Sequence, residues 1–137
     1  MKRLIFAIIT AILINGILAT AIDEVLHATG VYPPHGQPYF DTDLFLLALS
    51  YRFIITIFAA YITAMIAKEK ANTALWFTGI LGAILWLAGT IAMQGLGPLW
   101  YGIVGAITAL PLALFGGSLY KRRLQKNISL NLNKRKD

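Results

Sequence analysis

A chain of 137 residues in which 58% are hydrophobic and 13% are charged is too apolar for a water-soluble domain of this size. The absence of cysteine excludes disulfides, thiolate catalysis, iron–sulfur ligation and the usual structural zinc sites. The net charge of +6 does not point to nucleic acid, because no aromatic residue is interleaved with the basic C-terminal segment after Tyr120.

Four apolar runs, 4–22, 44–67, 74–93 and 99–119, each approach or exceed the roughly 20 residues that a spanning helix needs. None alternates as a barrel strand would. The expected fold is therefore all-α: an integral membrane four-helix bundle, one transmembrane domain over 1–120 followed by a basic tail over 121–137.

The first run opens after Lys2 and Arg3, and Ala19-Thr20-Ala21 imitates a signal-peptide cleavage site. The apolar stretch continues to Ile22, past the roughly 7 to 15 residues of a secretory core, so it is kept as a span. Gly16, Thr20, Asp23 and His27 fall on one helical stripe, with Asn15 beside them as an expected interhelix hydrogen bond. A helix continuing to about Ala28 before Gly30 places Asp23, Glu24 and His27 at the interface. From Gly30 to Pro38, three prolines and two glycines predict a loop, which Tyr32, Tyr39 and Phe40 weight toward the bundle mouth or the headgroup layer. Asp41-Thr42-Asp43 predicts a cap on the second span.

Arg52 is the most informative residue of that span, since it lies about 12 Å along the helix from Leu44. An intramembrane cation costs on the order of 2.5–3.5 kcal/mol at the bilayer centre unless it snorkels or pairs. Asp23 or Glu24 is the expected partner, with Tyr51, Thr20 and His27 completing the hydrogen bonding. In the third and fourth spans, Gly79-x-x-x-Ala83 and the series Gly105, Ala109, Ala113, Gly117 predict close helix contact. Pro111 predicts a kink, and Trp76, Trp100, Tyr101 and Tyr120 are expected at membrane interfaces.

The Lys and Arg residues other than Arg52 sit at the two termini and at Lys68 and Lys70, whereas the segment between the first two spans holds Asp23, Glu24, Asp41 and Asp43. By the positive-inside rule both termini are cytoplasmic, in a plasma membrane or a bacterial inner membrane. The span number matches small multidrug transporters and dual-topology fluoride channels. The former carry a lone Glu in mid-span one, unlike Glu24, and the strong charge bias here sets one orientation, so the chain is assigned to neither.

Asp23, Glu24, His27, Tyr51 and Arg52 form the candidate ligand-binding set. They either lock two helices together or receive a small ion or polar solute. Glu24, His27 and His35 are the residues nearest to a metal set, although no metal or other cofactor is expected. No His-Glu-x-x-His, phosphate loop or nucleophile with a base appears, so no catalytic residue is assigned and an enzyme is not the expectation. The expected function is a small transporter or channel-like protein. The alternative is a non-catalytic accessory subunit that docks a partner through its Gly/Ala faces. Expected partners are the bilayer, anionic lipids at the basic tail, and a second copy or another membrane protein.

Overall fold

In an apolar solvent the backbone must satisfy its own hydrogen bonds. The computed structural model, which describes residues 1–134, satisfies them in helices. Three helical stretches are long and apolar enough to cross a membrane: Lys2–Ala28, Thr42–Ala92 and Leu99–Asn133. The 51-residue middle stretch doubles back at Lys68–Lys70, a 3-10 turn that separates α2 (Thr42–Ala67) from α3 (Ala71–Ala92). Lys68 there takes a φ of 52°, a left-handed conformation uncommon outside glycine, and the reversal brings Trp86 against Arg52. Lys2–Ala28 is termed α1 and Leu99–Asn133 α4.

Local chemistry sets the ends. α1 runs past its apolar stretch to Ala28 and stops where Gly30 adopts a φ of 75°. Asp41 caps α2 by accepting the Asp43 N–H at 3.0 Å. α4 runs on beyond the expected span 99–119, and Lys121 to Asn133 of the expected basic tail continue the same helix. At 1.5 Å per residue α4 is roughly 52 Å long, so it outruns an apolar layer of roughly 30 Å. Two of its basic residues are tied back to the bundle: Lys121 donates to Asn72 Oδ1, and Arg123 donates to the Tyr61 hydroxyl at 3.0 Å. Residues 135–137 of the predicted basic tail lie outside the described residues.

The helices meet through small side chains. A Cβ on Gly105 would run into the Trp86 indole, one on Gly117 into Leu75, and one on Gly116 into the Ile57 carbonyl oxygen. The glycine and alanine face predicted for span four is thus consumed between α2 and α3. Its buried members support intrachain packing, not an external docking surface.

Burial is uneven along the bundle. The buried residues of α1 are Ala7 and Ala11, and those of α3 are Ala71, Ala74, Leu75 and Gly79. All lie toward the end that carries Lys68–Lys70, where two alanine-rich clusters form: Ala7, Ala67 and Ala74, and Ala60, Ala64, Ala71, Leu75 and Ala113. α2 and α4 stay buried over most of the apolar region. α1 and α3 are therefore clamped at the basic end and separated toward the loop end.

Gly105→Leu and Gly117→Leu are expected to lower stability by about 1–3 kcal/mol each through overpacking. Gly89→Ala, with nothing within 4 Å of the added methyl, is expected to be neutral or to gain up to about 1 kcal/mol from helix propensity. Denaturation of the three variants in one detergent tests this order.

Candidate functional site

The separation of α1 from α3 leaves a cavity of about 530 Å³. It runs from the exposed stretch around Gly36 and Gln37 down to Ala60, Thr78 and Ala113, where the alanine clusters close it. Its walls come from all the helices, and most of the lining side chains are apolar or small.

The loop between α1 and α2 folds back over the mouth. Tyr32 is 4% exposed, and its backbone N–H reaches the Leu26 carbonyl at 3.1 Å. Tyr39 donates its N–H to the Leu96 carbonyl at 3.1 Å and stacks on Phe45 with ring centres 4.8 Å apart. These contacts tie the loop to the α3–α4 connection. Burial raises the pKa of both phenols above the ordinary value. Their folded, neutral forms are therefore favoured below the usual tyrosine range, and that contribution is lost as pH climbs through the raised values.

Beneath the loop, α1 and α2 run antiparallel, which sets Asp23 and Arg52 at the same height. Arg52 Nη2 donates to Asp23 Oδ2 and the Tyr51 hydroxyl donates to Asp23 Oδ1. The Tyr32 hydroxyl lies 3.3 Å from that of Tyr51, so the loop is wired to the ion pair through two phenols. The guanidinium sits 5.6 Å from the Trp86 ring centre and 5.9 Å from that of Tyr51, close enough for cation–π attraction. Side-chain exposures of 30% for Arg52 and 25% for Asp23 place the pair at the edge of the low-dielectric interior, where a single removal leaves a poorly solvated charge.

The predicted set therefore divides in two. Asp23, Tyr51 and Arg52 form one cluster. Glu24 turns away from Arg52 and accepts from His35 Nε2 at 3.1 Å, at the exposed rim. His27 stacks on His35 with centroids 4.0 Å apart, and its Nδ1–H donates to the Pro33 carbonyl at 2.7 Å. Thr20 and His27 line the cavity, but neither joins the hydrogen bonding of Arg52 as expected. Among the described residues no three His, Cys, Asp or Glu side chains converge to hold a metal, since Glu24 and His35 are spent on each other and Asp41 on its cap.

Deeper along the same faces, the Thr56 hydroxyl divides its proton between Asn15 Oδ1 at 3.0 Å and the Arg52 carbonyl at 2.8 Å. Two buried side-chain polar atoms have no partner among the described residues, Arg52 Nε and Thr78 Oγ1, and both residues line the cavity. Thr78, Trp86 and Tyr101 were not singled out as site residues from the sequence. Tyr101, expected at an interface, instead faces inward, 5.1 Å from Trp86 and 4.8 Å from Phe45. The spacing Gly82, Trp86, Gly89, Met93 does put these residues on one face of α3, which is the signal the sequence held.

A double-mutant cycle with Asp23→Asn and Arg52→Gln is expected to show a coupling of about 1–3 kcal/mol. Glu24→Gln should change stability by less than about 0.5 kcal/mol, as suits an exposed pair. If Glu24 matched Asp23 in its coupling to Arg52, the pairing would be reversed. Comparison of the chain with protein-family models, with curated proteins and with solved structures returns no match.

Proposed function

We propose that the chain crosses the membrane four times with both ends cytoplasmic, and that it carries a small polar solute from an extracytoplasmic site, as a small transporter or channel-like protein. The charge distribution supports the orientation: Lys2, Arg3, Lys68, Lys70 and the basic part of α4 gather at one end, and no Lys or Arg lies between Arg3 and Arg52. The reversal at Lys68–Lys70 supports two spans within the 51-residue stretch, because a membrane of ordinary thickness is crossed by about 20 residues.

The observation that carries the functional reading is the cavity itself. It is closed toward the basic end and reaches the surface at the loop end, and a charged, hydrogen-bonding cluster stands in its wall. Asp23 and Arg52 neutralise each other, which favours a polar solute over a bare ion. The accessory-subunit alternative draws less support, since the span-four part of the Gly/Ala surface it requires is used inside the chain, while Gly89 of span three stands open.

The lack of native cysteine makes the topology directly testable. In intact cells an impermeant thiol reagent is expected to label Gln37→Cys, and to label Ser129→Cys after permeabilisation alone. In liposomes the protein should raise permeability to at least one of glycerol, urea and acetamide, and Arg52→Ala that retains native helicity should abolish the increase. Equal permeability with and without protein across the three solutes would overturn transport. A variant that melts lower but conducts normally would return the ion pair to a packing role.

A further inference from the structure

Resting on that solute-site reading, we propose that the occupant is an amphiphile with an uncharged head that accepts a hydrogen bond from Arg52, and that it enters sideways from the bilayer between α1 and α3.

The cavity is a slot. Thr78 and Gln94, both on its wall, are separated by about 24 Å of helix and turn height at 1.5 Å per residue.

The slot opens to the side. Burial on α1 ends at Ala11 and on α3 at Gly79. Beyond those points Ile12 and Leu85 line the cavity while remaining 36% and 51% exposed. Gly16 and Gly89, also on the lining, have nothing within 4 Å of where a Cβ would stand. In a membrane this gap faces hydrocarbon, so an apolar chain enters through it at no desolvation cost, whereas a hydrated solute enters from the loop end.

The head chemistry follows from what the charges have left over. Asp23 takes Nη2 of Arg52, while Nε–H is buried with no partner among the described residues. That donor calls for an oxygen acceptor. A free anion would add uncompensated charge beside the Asp23 carboxylate, and a cation would face the guanidinium. An ester or ketone carbonyl meets the donor without either penalty, and Trp86 and Tyr101 supply flat apolar walls beside it.

The test uses the full chain in nanodiscs of zwitterionic lipid, with Trp76→Phe and Trp100→Phe leaving Trp86 as the single tryptophan of three. Bromine-labelled octadecanoic acid methyl ester is expected to quench Trp86 saturably, and the corresponding ionised acid or alkylammonium should bind at least tenfold more weakly. Arg52→Gln should weaken the ester by about tenfold or more, the loss expected for a charged donor. Gly89→Leu, which fills the slot and leaves the ion pair intact, should abolish saturation even if Arg52→Gln fails to fold. Unsaturable quenching, or quenching unchanged in the Gly89 variant, would overturn the proposal in favour of ordinary annular lipid. Equal binding of the ester and the ionised acid would overturn the uncharged head. Quenching by a brominated phospholipid as strong as by the ester would overturn the proposal in favour of ordinary bilayer lipid. If methyl acetate displaced the ester as well as an unlabelled long-chain ester did, the chain-binding slot would fall while the polar-solute site survived. No quenching together with no glycerol, urea or acetamide flux would remove both.

Discussion

The contact between Arg52 and Asp23 is the constraint on which the loop end of this molecule depends. A guanidinium placed ten residues into α2 cannot be left alone beside hydrocarbon. Asp23 answers it from five residues before the end of α1, and this fixes the register of the two helices. The same carboxylate anchors Tyr51, and through Tyr51 and Tyr32 the loop is held to the helices. One ion pair thus sets helix register, loop position and the polar wall of the cavity.

Residue size distributes the remaining volume. At the basic end alanines and glycines let the backbones approach closely, so Ala7, Ala67 and Ala74 leave no space between α1, α2 and α3. At the loop end the packing is done by Tyr32, Tyr39, Phe45, Trp86 and Tyr101, whose rings hold the helices apart. A bundle built of small residues below and aromatic ones above takes the form of a wedge. The cavity is the open side of that wedge, and its closed bottom is the reason it does not reach the basic end.

The rim behaves differently from the wall. Glu24, His27 and His35 form a chain of contacts among exposed or half-exposed groups, where water screens charge and each contact is worth little. Asp23, Tyr51 and Arg52 lie where screening is weaker and each lost partner is costly. Residues four positions or fewer apart on α1 therefore have distinct roles, set by depth more than by identity.

The sequence by itself determined the helical class, the apolar stretches, the loop over 30–38 and the need of Arg52 for an acidic partner. Each follows from local chemistry: hydropathy, proline and glycine content, and the cost of a charge in an apolar medium. It also placed the cap of α2 within Asp41-Thr42-Asp43, of which the structure uses Asp41. Only the tertiary structure decided that Asp23 and not Glu24 answers Arg52. The two carboxylates are neighbours in the chain but about 100° apart around the helix, and which one faces α2 depends on how α1 is rotated. The continuation of α4 through Asn133 was equally illegible, because the polar run from Lys121 carries no spanning signal and is held in part by Asn72 and Tyr61 from other helices. Trp86 and Tyr101 joined the site through inter-helix contacts that a linear pattern does not encode.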